Sequence, residues 1–196
     1  MRNDFDISKY DKEGYAFIAA APRSGTQYIA KVFQEVGVDI QHEAFGEAGI
    51  SAFHTIPHLA CRKHGVILHQ VRDPLKTIAS MQIIDASWGY ITYYTGISRP
   101  DGDLLHAVMR LWLLLNHSIE KYDHIRYRIE DIDTEWPRLC NILNIPKCSL
   151  PDIPRNAHSR AGEFRPLTWH ELEFRDRQLT KCIKDTAVRY GYEVSA

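Results

Sequence analysis

The sequence predicts an α/β fold of three layers, a central, mostly parallel sheet flanked by helices. Three observations predict it. Short apolar, β-branched segments alternate with helical patterns, Gly and Pro punctuate the junctions, and no repeat, low-complexity tract or Gly/Ser linker divides the 196 residues. The whole of 1–196 therefore reads as a single domain. Residues 15–20 form a first short apolar strand, and after Gly25 the apolar residues Ile29, Val32, Phe33 and Val36 recur at helical spacing until Gly37 closes the helix. A second strand is expected at 38–42 and a stronger, β-branched one at 65–71. Asp73 then caps a helix whose first position is Pro74, where the missing amide proton does no harm. A long helix follows over 102–122, a strand over 124–129, and a helix from Asp133 or Thr134 to about 143. Residues 167–172 read as the opening of one more helix. In a parallel sheet ligands bind at the carboxyl ends of the strands, so the loops after Ala20, His42, Val71 and Ile129 are expected to share one rim.

Charge and composition narrow the function classes. Lys and Arg number 24 against 25 Asp and Glu, for a formal charge of −1, so no excess positive charge exists to drive general nucleic-acid or anionic-membrane binding. The apolar stretch 104–115 contains His106 and Arg110 and falls short of the roughly 20 residues that cross a bilayer. Residues 1–14 mix charges with no apolar run, which gives no readable signal peptide and an expectation of a cytoplasmic protein. Cys61, Cys140, Cys148 and Cys182 lack C-x-x-C spacing and read as reduced thiols.

Two segments carry chemistry. In 20–27 the first strand turns into the first helix, where exposed amides and the helix dipole together attract an anion. Gly25 lets the backbone approach closely, Ser24 and Thr26 add hydroxyls, Arg23 a fixed charge and Gln27 an amide. The alternative is an ordinary turn with a solvated Arg. A nucleoside-triphosphatase loop requires G-x-x-x-x-G-K-[ST], but Ala20 stands at the first Gly and Thr26 at the Lys. In the second segment Arg72 leaves a strand and Ser80 lies seven residues after the cap Asp73, close to two helical turns. That spacing returns its hydroxyl to the side from which Arg72 emerges, so the pair can fork and hydrogen-bond a phosphate. A capped helix beside a surface Arg is the plainer reading.

P-R-S-G-T at 22–26 resembles the 5′-phosphosulfate loop of the sulfotransferases, P-[KR]-S-G-T-T, with Gln27 in place of the second Thr. The segment from Arg72 to Ser80 resembles the same family's 3′-phosphate motif. L-W-L-L-L-N at 111–116 and Y-R-I-E-D at 127–131 are similar to its long helix and late strand end, so the likeness spans roughly 15–143. The resemblance implies a P-loop NTPase-like sulfotransferase fold and the donor 3′-phosphoadenosine 5′-phosphosulfate, without a metal. It further implies that Arg23, Ser24, Gly25, Thr26 and Gln27 hold the 5′ end while Arg72 and Ser80 select the 3′-phosphate. Family members close the site with a basic C-terminal loop, which makes Arg160 and Arg165 candidates, although the familiar R-K-G triplet is absent.

Sulfuryl transfer needs in-line positioning, charge stabilisation on the leaving oxygen and removal of the acceptor's proton. Arg23 is the candidate for the leaving oxygen. Several family members place a catalytic Glu after the second strand, which points to Glu43 as base with His42 second; a loop carboxylate is the alternative. Adjacent strand residues point oppositely, so these two serve together only if the strand has ended. Trp88, Tyr90, Tyr93 and Tyr94 are candidates for stacking on a sugar or aromatic acceptor, with packing the plainer role. His54, His58, His64 and His69 are too dispersed for a metal site. The expected partner is a small-molecule or carbohydrate acceptor. The competing readings are a non-catalytic 3′-phosphoadenosine nucleotide-binding module and a divergent P-loop nucleotide kinase.

Overall fold

The computed structural model describes residues 9–84, 87–154 and 165–194. Its five strands are β1 (Ala16–Ala19), β2 (Ile40–His42), β3 (Gly49–Ser51), β4 (Val66–Val71) and β5 (Ile125–Arg128), in the order β2-β3-β1-β4-β5. Every pairing is parallel, with Ala19 beside His69 and Val71 beside Arg128. All five carboxyl ends therefore lie along one edge of the sheet, the rim that the sequence predicts.

Helices α1 (Thr26–Glu35) and α5 (Ile132–Ile142) cover one face, and α2 (Pro74–Met81), α3 (Trp88–Thr95), α4 (Leu104–Ile119), α6 (Trp169–Arg175) and α7 (Arg177–Arg189) belong to the core on the other, with a 3₁₀ helix at Phe53–Cys61. The period-two alternation of the strands divides the apolar residues between the layers. Ala16, Ile18 and Tyr127 meet Phe33 of α1 and Trp136 of α5, whose rings lie 5.2 Å apart, while Phe17 and Ile67 face α4 and the 3₁₀ helix. Trp112 of α4 lies in the same core as Phe17 and is 1% exposed. None of the described helices is long and apolar enough to cross a membrane.

Several boundaries differ from the sequence reading, each for a local reason. Residue 38 is not in β2, because the Val38 amide donates to the Phe33 carbonyl (2.9 Å) and belongs to the turn that closes α1. The long helix begins at Leu104 rather than 102, since the Asp103 carboxylate accepts from the His106 amide (3.1 Å) and caps it. Helix α5 starts at Ile132, ahead of Asp133 and Thr134, because a 3₁₀ turn over Ile129–Asp131 runs straight into it. Strand β3, three residues long, escaped prediction. Its Gly49 lies so close to β1 that a Cβ there would sit 2.6 Å from the Ala16 carbonyl oxygen.

Candidate functional site

The turn between β1 and α1 is built on two left-handed residues, Arg23 (φ 69°) and Gly25 (φ 90°). Gly25 is the residue before α1, and no side chain among the described residues caps that helix start, which leaves its first amides uncapped. A Cβ at Gly25 would meet Ile129 Cγ1 at 3.4 Å and Gln70 Nε2 at 3.5 Å, in a backbone region that disfavours any L side chain. Buried hydrogen bonds hold the turn from beneath. Gln70 donates from Nε2 to the Ser24 carbonyl (2.6 Å) and accepts from the Tyr127 hydroxyl (2.6 Å), while the Ser51 hydroxyl donates to the Thr26 carbonyl (3.0 Å). Ser24 is 2% exposed, and Gln27 is exposed on the first turn of α1.

The chain leaves β1 for α1 on one face and leaves the neighbouring β4 for α2 on the other, so their two loops border a crevice where the chain directions diverge. Asp73 caps α2 by accepting from the Lys76 amide (3.1 Å), with Pro74 in the first helical position, as the sequence predicts. The two loops meet at this crevice. Arg23 Nε donates to Ser80 Oγ at 2.9 Å, and Arg72 Nη1 donates to the Arg23 carbonyl at 2.9 Å. Arg72 and Ser80 thus both contact Arg23, one at its carbonyl and the other at its guanidinium, which reaches out of its own turn to the hydroxyl of the second one.

A third wall comes from the end of β2. The strand stops at His42, and Glu43 follows with a left-handed backbone (φ 56°), so the two side chains are released from strict strand alternation. His42 Nε2 lies 3.1 Å from Thr26 Oγ1, which ties a candidate base to the turn after β1. Glu43 is exposed. His54, at the start of the 3₁₀ helix, belongs to the same cluster: burial holds its imidazole below the usual range, Glu43 opposes the shift and His42 adds to it. Aromatic rings continue from there. The Tyr90 hydroxyl donates to the His54 carbonyl (2.5 Å), its ring stacks edge-on against His54, and Tyr94 and then Tyr93 follow at centroid distances of 4.4 and 4.8 Å. Tyr93 is 70% exposed, whereas Trp88 is buried with its indole N–H on the Ile84 carbonyl.

Other sequence candidates lie elsewhere. The exposed Arg165 pairs with Glu171 at the start of α6, and Arg160 lies outside the described residues. His69 is fully buried against Asn116, 2.9 Å away, and burial pushes its imidazole down to about 3. Among the described residues no group of three or more His, Cys, Asp and Glu is placed to hold a metal ion. All four cysteines are free thiols, Cys140 alone being buried.

Sequence reasoning missed Gln70 and Ser51, weighed His54 only as a metal ligand, and took Glu130 only as part of the Y-R-I-E-D strand end. Glu130 in fact fixes the second turn, accepting from the Asp73 amide at 2.9 Å. Gln70 carried a signal: a polar residue in a mostly apolar strand, one step from the rim, has to find a buried partner. Comparison with family models, with curated proteins and with solved structures returned no match.

Proposed function

We propose that this chain is a sulfotransferase that takes 3′-phosphoadenosine 5′-phosphosulfate as donor and sulfates a hydroxyl or amine of a small-molecule or carbohydrate acceptor. The observation that carries the reading is the 2.9 Å contact between Arg23 and Ser80, which joins two anchors 57 residues apart at one point of the rim. Both phosphates of the donor hang from a single ribose, so their anchors must be neighbours. The residues suit the charges they would meet: uncapped amides at Gly25, Thr26 and Gln27 with the Ser24 turn for the 5′ end, Arg72 and Ser80 for the 3′-phosphate, and Arg23 between them. Left-handed backbone at Arg23 and Glu43 adds support, because such conformations concentrate where a site dictates side-chain direction.

The bound donor supplies a sulfuryl group on a phosphate leaving group: the acceptor's oxygen or nitrogen bonds to sulfur as the sulfur–oxygen bond to that phosphate breaks, leaving adenosine 3′,5′-bisphosphate. Glu43 takes the acceptor's proton, with His42, against Thr26, the alternative base. Arg23 places fixed positive charge where the leaving oxygen becomes more negative. Tyr90, Tyr94 and Tyr93 form an aromatic wall beside those bases on which an acceptor ring can rest.

The exposure of Glu43 favours a second reading, a non-catalytic module that binds the same nucleotide, since a solvated carboxylate is a weak base. Calorimetric titration with adenosine 3′,5′-bisphosphate and with ATP plus magnesium tests the donor half; preference for ATP would favour a nucleotide kinase and sink the proposal. A labelled-donor screen over sugars, phenols, amines and lipids tests transfer. Glu43→Ala should abolish transfer while leaving bisphosphate affinity unchanged, and a chain that binds the bisphosphate but sulfates nothing is the module.

A further inference from the structure

The turn that carries Arg72 is fastened to the C-terminal segment of the chain through one carboxylate. Glu130, in the 3₁₀ turn after β5, uses one oxygen to accept from the Asp73 amide (2.9 Å) and the other to accept from the Tyr192 hydroxyl (3.0 Å). Tyr192 is itself held. The Arg128 guanidinium lies 4.8 Å from the centre of its ring, donates to the Gly191 carbonyl and pairs with Asp131 at 2.7 Å. Burial, and then Glu130, push the Tyr192 phenol above its usual range, so it stays a donor over the whole working pH range.

We propose that Glu130 and Tyr192 are positioning residues for the 3′-phosphate anchor, a clamp that sets how Arg72 leaves β4. The inference rests on the donor reading above and deepens it. The Asp73 amide belongs to the peptide that joins Arg72 to the helix cap, so a hydrogen bond on that N–H fixes the plane of this peptide and with it the direction of the Arg72 side chain. A carboxylate with one oxygen on the amide and the other on a phenol is bound at both ends and cannot rotate freely. The C-terminal residues Gly191 and Tyr192 thereby become part of the site although they lie 119 and 120 positions after Arg72 in the chain. Removing the phenol oxygen loosens the carboxylate, loosens the peptide and lets Arg72 sample directions that miss the phosphate. The effect falls chiefly on the 3′-phosphate, because the 5′ turn, which takes one bond from Arg72 at the Arg23 carbonyl, is also held by Gln70 and Ser51.

The test compares two ligands by calorimetry on the full chain: adenosine 3′,5′-bisphosphate and adenosine 5′-monophosphate, which lacks the 3′-phosphate. The wild type should prefer the bisphosphate. Tyr192→Phe should weaken bisphosphate binding roughly three- to tenfold, the worth of one hydrogen bond, and leave the monophosphate unchanged. Glu130→Ala should act in the same direction, and Glu130→Gln should restore much of the preference, since its amide oxygen can still accept from Asp73. A wild type that binds both ligands equally removes the donor reading itself. A preference that survives intact in Tyr192→Phe overturns the clamp, and so does an equal loss for both ligands, the mark of a merely structural role. If Glu130→Ala fails to fold, Tyr192→Phe decides alone, because it keeps the ring and its contact with Arg128.

Discussion

The turns that follow β1 and β4 stand side by side on one rim, yet they are fastened by different means. Neutral, fully buried groups hold the first from below: Gln70 and Ser51, each 0% exposed, bond to the carbonyls of Ser24 and Thr26. Half-buried charged groups hold the second from the side, with Asp73 on the Lys76 amide and Glu130 on the Asp73 amide, and Arg72 ties the two turns together through the Arg23 carbonyl. A buried neutral bond cannot be removed without stranding its partner away from water, whereas water can replace a half-buried one. The first turn is therefore part of the fold's stability, and the side chains of the second can be replaced at little cost to the fold. Substitutions at the two turns should separate along that line.

The largest effect should come from Gln70→Leu. It leaves the Tyr127 hydroxyl and the Ser24 carbonyl without their partner, and two stranded groups at about 1–3 kcal/mol each predict a loss of about 3 kcal/mol in denaturant unfolding. A loss under about 1 kcal/mol would mean that water reaches the turn from beneath and that the contrast between the two turns is false.

The next effect is pH-dependent and tests the neighbour of Gln70 on the opposite face of β4. His69 is buried and its imidazole is held at about 3, first by burial, with His124 and Arg126 adding to the shift and Asn116 opposing it. The sign follows from the unfolded chain, where the ring protonates near 6.5. Above that pH neither state binds the proton and the group contributes nothing; below it only the unfolded state does, so stability falls as pH drops, until the folded ring titrates near 3. From pH 7 to pH 5 this share is about 2 kcal/mol. His69→Gln should flatten that part of the stability profile, measured by urea unfolding at the two pH values, without moving its value at pH 7 by the same amount.

Gly25→Ala should cost less, about 1–2 kcal/mol, for placing a side chain at φ 90° with contacts at 3.4 and 3.5 Å. The same variant should also weaken adenosine 3′,5′-bisphosphate binding, because the turn that presents the first amides of α1 is distorted. Unchanged unfolding with unchanged binding would show that the left-handed turn is not needed.

The same contrast explains what could be read from the sequence. The first turn was legible because its demands are local: Gly25 follows a short apolar strand and opens a helix, and each requirement is visible within six residues. Asp73-Pro74 was legible for the same reason, as a cap with its first helical position. The meeting of Arg23 with Ser80 followed only in part, since the spacing from Asp73 to Ser80 gives a helix face but not which guanidinium occupies it. Glu130, Tyr192 and Ser51 were not legible. Their partners lie 57, 62 and 25 residues away along the chain, and nothing near them in sequence announces a bond that forms only once strands pair and α7 docks. Strand β3 was hidden differently: at three residues with a glycine at its start, it carries too few side chains to set a period.

The smallest effect belongs to Asp73→Ala, and it separates the two roles packed into the second turn. The carboxylate caps α2 by accepting from the Lys76 amide at 3.1 Å, and loss of such a cap costs about 1 kcal/mol. The Asp73 backbone amide, which Glu130 holds, survives the substitution. Unfolding should therefore move by that modest amount while the preference for adenosine 3′,5′-bisphosphate over the monophosphate stays, because Arg72 keeps its direction through the backbone rather than through the cap. A preference lost together with the cap would mean that the helix start, not the amide held by Glu130, orients Arg72, and the second turn would then resemble the first in depending on the fold beneath it.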